Sequence, residues 1–213
     1  MSLRDRRVQY ETAGIERRDL SDSPIEQWHR WYVDALNAEV AEPNAMTLAT
    51  TGLDGTPDAR VVLAREVDER GFVFYTNYTS DKSQQLENRS TAAAVFAWLD
   101  LHRQVRIRGF VEKVSDAQSD EYFSSRPRES QIGAWASPQS QVIADRQFLE
   151  LRVTQFNEQF ADQSVSRPPT WGGWRLLPNQ CEFWQGRPNR LHDRFRYTRM
   201  QDANKWQIER LAP

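Results

Sequence analysis

The sequence predicts an α+β fold in which helices surround a mostly antiparallel β-barrel core. Short strand candidates follow one another along most of the chain and are joined mainly by tight turns, an order typical of barrels. This order differs from the strand–helix alternation of a doubly wound parallel sheet. The 213 residues are enough to bury one apolar core without a disulfide or a structural metal.

The first predicted element is a helix that begins at Ser23-Pro24-Ile25-Glu26 and extends to about Val40. Serine is a favoured N-cap, proline suits the first turn, and the glutamate three residues after the serine completes a capping box. Helical spacing places a set of apolar residues on one face, namely Ile25, Trp28, Trp31, Tyr32, Ala35 and Leu36.

From residue 45 onward the apolar pattern changes to that of strands. The predicted strands cover 45–51, 59–67, 72–77, 91–98, 104–114, 173–177, 180–185, 194–198 and 206–211, with a hairpin turn at Asp54-Gly55. Further helices are predicted over 80–89, 115–125 and 139–160, with a loop over 126–138 and a linker over 167–169. The polar, arginine-rich residues 1–20 are predicted to form a flexible arm that could close over a site, ahead of a single domain over 21–213.

The composition excludes several classes of protein. Lys plus Arg (28) against Asp plus Glu (30) gives a net charge of −2, which argues against a general nucleic-acid binder. No apolar run approaches the ~18 residues of a membrane span, and the N-terminus lacks a secretory pattern, so we expect a cytoplasmic protein. Because Cys181 is the only cysteine, an internal disulfide and CxxC motifs are impossible.

The usual nucleotide-binding loops are missing, and the remaining chemistry is cationic. Neither GxGxxG nor HExxH occurs, and the histidines are scattered, so we predict no metal site. The cationic residues near hydroxyl groups or aromatic rings are Arg60, Arg65, Lys82, Arg126, Arg128, Arg190 and Arg194. Arginine offers paired N–H donors that match the oxygens of a phosphate dianion, although any single arginine is more often a solvated surface residue.

Alternation along the chain singles out the segment around His192. If this segment is a strand, Arg190, His192 and Arg194 point to one face, and Leu191 and Asp193 point to the other. Three cationic or titratable groups on one face repel one another unless an anion or polar ligand lies there. Trp184, just upstream, offers a flat ring to a planar ligand.

Several long strings resemble the pyridoxine/pyridoxamine 5′-phosphate oxidase family. They are RVVLAR (60–65), FYTN (74–77), RQVRIRG (103–109), YFSSRPRESQIGAW (122–135), SPQS (137–140), WGGWR (171–175), EFWQGRPNRLHDR (182–194) and ERLAP (209–213). The resemblance runs from about Arg7 to the last residue. It implies an FMN-binding split barrel and a homodimer with FMN at the subunit interface. It also implies oxidation of pyridoxine or pyridoxamine 5′-phosphate to pyridoxal 5′-phosphate by O2, with release of H2O2.

The resemblance also implies site residues, position by position. The FMN site falls on Arg60, Val61, Val62, Leu63, Arg65, Tyr75, Thr76, Lys82, Gln104, Gln139, Ser140, Trp184 and Arg194. The substrate site falls on Arg7, Tyr10, Arg65, Tyr122, Arg126, Ser130, Arg190, Leu191 and His192, and Arg190 and His192 are the implied catalytic residues.

Two positions depart from the family pattern. Arg65 stands where lysine is expected, and Asp81 stands where arginine is expected. An anion at position 81 weakens binding of a cofactor phosphate unless its side chain points to solvent. Two other functions stay open: a related split-barrel flavoenzyme of the phenazine-pathway type, and a non-catalytic module that binds FMN or pyridoxal phosphate.

Overall fold

The computed structural model describes Tyr10, residues 12–201 and residues 205–213. These residues contain five α-helices: α1 (Pro24–Asn37), α2 (Asp81–Asn88), α3 (Asp116–Ser124), α4 (Arg128–Ala136) and α5 (Arg146–Gln159). They also contain nine strands: β1 (Ala45–Thr51), β2 (Pro57–Leu63), β3 (Glu66–Asp68), β4 (Gly71–Asn77), β5 (Thr91–Trp98), β6 (Arg103–Lys113), β7 (Trp171–Gln185), β8 (Asp193–Arg199) and β9 (Trp206–Leu211). The predicted α+β class is confirmed.

All nine strands belong to one antiparallel sheet, which β7 organises. The strand order is β2-β1-β5-β6-β7-β4-β3, with β8 next to β7 and β9 next to β8. β6 follows one edge of β7, whereas β4 pairs with the first part of the other edge and β8 with the last part. The sheet therefore divides into two arms along β7.

The core lies against α1 and is rich in aromatic rings. Trp28 of α1 packs against Phe72, Phe96 and Trp98, with ring centroids 5.5, 5.2 and 6.3 Å away. The N-terminus of α1 is capped as predicted, because Ser23 Oγ accepts the N–H of Glu26. Large buried rings supply much of the apolar area that stabilises such a core.

Two expectations for the helices were wrong. The predicted loop over 126–138 contains α4, which burial of Ile132 and Ala136 stabilises. Pro127 immediately precedes α4, a position where proline does not interrupt a helix. α5 begins at Arg146 rather than at 139, because the Asp145 carboxylate accepts the N–H of Phe148 and caps the helix there.

Smaller corrections concern α1 and the strands. α1 ends at Asn37 rather than at Val40, and Leu36 is 50% exposed rather than part of the buried face. The predicted strand 59–67 is divided into β2 and β3. The predicted strands 173–177 and 180–185 form the single strand β7, which passes Pro178 through an irregularity opposite Arg108 and Gly109. Proline is tolerated in a strand at such an irregularity.

Residues before α1 also pack against the domain. Ile15 and Leu20 are buried in the main core, so the packing does not break at residue 20. Among the described residues, no helix is long and apolar enough to cross a membrane.

Candidate active site

A cavity of about 650 Å³ lies between β2, β4 and the start of α4. Most of the residues expected at the FMN and phosphate sites line it: Arg60, Val61, Val62, Leu63, Arg65, Tyr75, Thr76, Lys82, Tyr122, Arg126, Ser130 and Gln139. Its volume falls in the ordinary range of small-molecule sites. Segments distant in sequence are thus brought together at one cavity.

The charged side chains that the structure describes in the cavity wall are all cationic. Arg60, Arg65, Lys82 and Arg126 line the cavity, whereas no carboxylate is among the described residues of its wall. One guanidinium nitrogen of Arg126, Nη1, is buried without a hydrogen-bond partner in the described structure. Because an unpaired buried donor is costly, this arrangement is suited to an anionic ligand.

Lys82 is held at the wall by neutral groups. Its Nζ donates to Gln139 Oε1 at 2.9 Å and to Thr76 Oγ1 at 3.3 Å. Burial lowers the pKa of Lys82 below its usual value, and the neighbouring Arg60 lowers it further. A bound phosphate dianion would favour the charged ammonium and so raise the pKa of Lys82 against both effects.

Arg60 is oriented by a network behind the cavity. It donates to Asp58 Oδ2 at 2.5 Å, to Thr50 Oγ1 at 2.6 Å and to Gln85 Oε1 at 3.1 Å. Gln85 in turn donates to Asp58, and this bond is the main reason that the pKa of Asp58 is lowered. The network fixes the guanidinium plane of Arg60 before any ligand binds.

Three nearly parallel rings form another part of the wall. The ring of Tyr75 stacks on Tyr122 at 4.0 Å and on Trp171 at 5.5 Å, and the guanidinium of Arg126 lies 4.7 Å from the Trp171 ring. Tyr75 donates its hydroxyl proton to Glu66 at 2.6 Å. Burial and this carboxylate raise the pKa of Tyr75, so its phenol stays neutral.

A second group of predicted residues, the His192 group, lies elsewhere on the sheet and in the loop before β8. Its members are Gln104, Trp184, Arg190, His192 and Arg194. Gln104, Trp184 and Arg194 are neighbours in one row across β6, β7 and β8. Arg194 is already ion-paired with the buried Glu182 at 2.8 Å and donates to the carbonyl of Ala212 at 2.9 Å. This row is not part of the cavity wall.

His192 lies beside this row, but not in a strand. Residues Pro188–Arg190 form a 3₁₀ turn and β8 begins only at Asp193, so the predicted strand face shared by Arg190, His192 and Arg194 was wrong. Asn189 and Arg190 have φ values of 56° and 62°, a conformation that costs free energy and is common at functional sites. His192 lies 4.6 Å from the Trp184 ring, centroid to centroid.

The protonation of His192 follows from its surroundings. The backbone N–H of Arg187 donates to His192 Nδ1 at 3.1 Å, so the proton of the neutral imidazole is on Nε2. Burial lowers the pKa of His192, and the nearby Arg190 contributes to the same shift. His192 is therefore a neutral donor through Nε2 at physiological pH.

Tyr10 covers this second group. Its ring lies 4.1 Å from His102, 5.8 Å from His192 and 6.2 Å from Trp184. Arg7 lies outside the described residues. Leu191 and Ser140 are exposed and do not line the cavity.

The two groups lie at opposite ends of β7. Trp171 belongs to the cavity and Trp184 to the second group, and the twelve residues of β7 between them correspond to about 40 Å along the chain. Among the described residues, none of Gln104, Trp184, His192 and Arg194 lines the cavity of the same chain.

Sequence reasoning missed three residues of the cavity wall, Ser125, Pro127 and Trp171. Trp171 stands in the WGGWR string, and its contact with Arg126 joins residues 45 positions apart, which no local pattern reveals. Asp81 is exposed at the first position of α2 and does not line the cavity.

Two models of protein families match the chain. A model described as pyridoxamine 5′-phosphate oxidase matches residues 32–160, and one described as the pyridoxine 5′-phosphate oxidase C-terminal dimerisation region matches residues 171–213. The chain belongs to the pyridoxine/pyridoxamine 5′-phosphate oxidase family. It is accordingly an FMN-dependent oxidoreductase, as the resemblance implied.

Curated members of the pyridoxine/pyridoxamine 5′-phosphate oxidase family are similar over the full length. The chain is 52% identical to pyridoxine/pyridoxamine 5′-phosphate oxidase 1 of Ralstonia nicotianae and 51% identical to the pyridoxine/pyridoxamine 5′-phosphate oxidase of a Synechocystis species. Each comparison covers 100% of this chain and 99% of the relative.

Solved structures confirm the split-barrel fold. PhzG from Burkholderia lata 383, in complex with tetrahydrophenazine-1-carboxylic acid, has a TM-score of 0.89 at 30% identity over 97% of this chain and 100% of that one. A pyridoxamine 5′-phosphate oxidase-related, FMN-binding protein from Nostoc punctiforme has a TM-score of 0.69 at 19% identity over 91% and 100%, a likeness of fold alone.

Proposed function

We propose that this chain oxidises pyridoxine 5′-phosphate and pyridoxamine 5′-phosphate to pyridoxal 5′-phosphate, with O2 as acceptor and H2O2 as co-product. The observation that carries the proposal is the cavity lined by four cationic side chains and, among the described residues, by no carboxylate. The reaction needs two phosphate groups near each other, one on FMN and one on the substrate. The cytoplasmic location expected from the sequence remains a prediction.

The cations of the cavity divide into two sets, one for each phosphate. Lys82, Thr76 and Arg60 form the first set, which suits the phosphate of FMN. Arg126, Arg65, Ser130 and Tyr122 form the second set. The charge of Arg65 acts on Arg126, whose unpaired Nη1 is a donor for the substrate phosphate. The donor chemistry of the first set therefore fits the cofactor that the family uses.

The chain's own residues would bind and orient the substrate. FMN, when bound, would supply the acceptor for the hydride of the substrate C4′ carbon, with O2 as the final acceptor of the two electrons. Arg126 and Ser130 hold the substrate phosphate and thus fix the register of its ring. His192 donates through Nε2 to a polar substituent, and Arg190 covers the face of the ring that is turned away from the cofactor.

The complete site requires two copies of the chain. The cavity adjoins the start of β7 and Trp184 stands near its end, which supports a site in which a second copy places its His192 group beside the cavity of the first. The match of residues 171–213 to a dimerisation region supports a homodimer. These residues include Trp184, Arg190 and His192.

A second candidate is a flavoenzyme that acts on a substrate without phosphate. The similarity to the PhzG structure favours it. The unpaired Arg126 beside Ser130 and Tyr122 argues against an uncharged substrate, which would leave these donors without an acceptor. A carboxylate could pair with Arg126, so turnover of the phosphate esters decides between the two candidates.

Aerobic turnover of the FMN-supplemented protein tests the proposal. Pyridoxal 5′-phosphate and H2O2 should form in equal amounts from either phosphate ester, and pyridoxine without phosphate should react far more slowly. Arg126→Met should raise KM for the esters about tenfold or more, because a charge-assisted phosphate contact is lost. Equal rates with and without the phosphate group would favour the second candidate. Bound FMN without turnover would favour the binding module.

A further inference from the structure

The segment before α1 is tied to the loop that carries His192. Thr12 Oγ1 donates to the carbonyl of Gly186, and Arg187 Nη1 donates to the carbonyl of Thr12 at 3.3 Å. Gly14 approaches so closely that a β-carbon there would lie 2.5 Å from Arg187 Nη1 and 2.8 Å from Asp193 Oδ2. The two segments therefore pack as one unit.

Asp193 lies at the centre of this contact. Its Oδ2 accepts the N–H of Ile15 at 3.1 Å and faces Arg187 Nε at 3.7 Å, while its Oδ1 accepts from Arg210 Nη1 at 2.6 Å. The Asp193 side chain is only 14% exposed. One carboxylate thus joins the N-terminal segment, the His192 loop and the C-terminal strand β9.

The contact at Asp193 connects on two sides to residues that touch His192. On one side, the segment that Asp193 holds through Ile15 carries Tyr10, whose ring lies 5.8 Å from His192. On the other side, Arg187 donates its backbone N–H to His192 Nδ1. Gly186 lies between them, and a β-carbon there would be 2.7 Å from Tyr10 Cδ2.

We propose that Asp193 is a positioning residue for the reaction: by holding Ile15, Arg187 and Arg210, it keeps Tyr10 over His192 and keeps the Nε2 proton of His192 directed at the substrate. The inference rests on the proposed function for its kinetic consequence only. The coupling between Asp193 and the segment 12–16 does not depend on any substrate.

A nearby ion pair offers a matched control. Arg210 also pairs with Glu16 at 2.8 Å, but the Glu16 side chain is 63% exposed. Exposed pairs contribute little because water screens them. Glu16→Gln therefore removes a charge from the same cluster but leaves both partners of the bond from the Ile15 N–H to Asp193 in place.

The experiment compares Asp193→Asn, Arg187→Met and Glu16→Gln with the wild type as FMN-loaded proteins. In Asp193→Asn the Ile15 amide should exchange its hydrogen at least about tenfold faster, because the accepting group is weakened. KM for pyridoxamine 5′-phosphate should rise about tenfold, with kcat changed less than about threefold. Arg187→Met should show the same pattern and decides the matter if Asp193→Asn does not fold. Glu16→Gln should match the wild type.

A double substitution tests the route through Tyr10. If Asp193 acts by holding Tyr10, Asp193→Asn combined with Tyr10→Ala should raise KM no more than the larger single effect. Multiplying effects, or unchanged exchange at Ile15 in both Asp193→Asn and Arg187→Met, would overturn the inference. If the wild type oxidises neither phosphate ester, the proposed function fails, and exchange at Ile15 alone decides the coupling.

Discussion

The guanidinium of Arg128 donates to the carbonyl of Phe160 at 2.6 Å and so joins the first residue of α4 to the C-terminal end of α5. A second bond runs to the carbonyl of Gln163 at 3.1 Å. Carbonyls at a helix C-terminus lack partners within the helix, and a cation there satisfies them. Arg128 thus stabilises the helical pair, although it stands only two residues from Arg126 of the cavity.

Arg128 and Arg190 should therefore differ in what their loss changes. Arg128→Ala should lower the free energy of unfolding by about 1 kcal/mol, or Tm by about 3 °C, with kcat unchanged. Arg190→Ala should lower kcat about a hundredfold, because Arg190 positions the substrate ring. Its Tm should be unchanged, because Arg190 is exposed. Thermal unfolding and steady-state kinetics on both variants check this. Equal losses of kcat would contradict the assigned roles.

Lys82→Met should weaken FMN binding about tenfold or more, because it removes a charge-assisted donor from the cavity. Quenching of flavin fluorescence measures the dissociation constant, and Lys205→Met, at an exposed position, is the control. In the protein without ligand, burial and Arg60 lower the pKa of Lys82 below its usual 10.5. A bound phosphate raises the pKa of Lys82 again. FMN affinity should therefore decline as the pH rises through the lowered pKa. A pH-independent affinity up to pH 10.5 would contradict the assignment.

Asp81→Asn should leave the FMN dissociation constant within about twofold of the wild type, because an exposed charge outside the cavity is screened by water. An acidic residue in the first turn favours the helix dipole, so the same change should cost about 0.5 kcal/mol of stability. Flavin titration and urea unfolding measure the two effects. A large gain in FMN affinity would place Asp81 close to the cofactor phosphate instead.

His192 should titrate below the usual histidine pKa of 6.5, because burial and Arg190 both disfavour its charged form. Lowering the pH therefore charges it later than an ordinary histidine. In Arg190→Gln the midpoint should move up towards 6.5, since one of the two causes is removed. Titration of the imidazole C–H signals by NMR measures both midpoints, and His192→Asn identifies the signal. A downward shift in Arg190→Gln would disagree with the geometry.

Local patterns in the sequence were enough for the start of α1 and for most strands, but not for the division of 59–67 into β2 and β3 or for the continuity of β7 past Pro178. Ser23 and Pro24 act within one turn, and β-branched runs between turn residues form strands wherever one face is buried. α4 was missed because Pro127 and Gly133 are turn residues in isolation. Its stability comes from burial of Ile132 and Ala136, which depends on partners far away in sequence.

The candidate site was harder to predict than the fold. The resemblance named the residues of the cavity, but not the network that orients Arg60, since Gln85 and Thr50 act through bonds across the fold. The strand alternation assumed around His192 was wrong because Asn189 and Arg190 adopt positive φ values. Residues other than glycine rarely have positive φ, so the sequence did not indicate this turn. Asp193 could not be found from sequence either, because its three partners lie in three separate segments.

The length of β7 has a genetic consequence. In a homodimer built as proposed, Trp171 and Trp184 of one strand serve two different sites, so each chain contributes one half to each site. Arg126→Ala and Arg190→Ala damage different halves. In a dimer of one variant chain of each kind, one site contains both substitutions and the other site contains neither. Co-expression of the two impaired variants should therefore restore part of the activity, with about a quarter of all sites intact under random pairing.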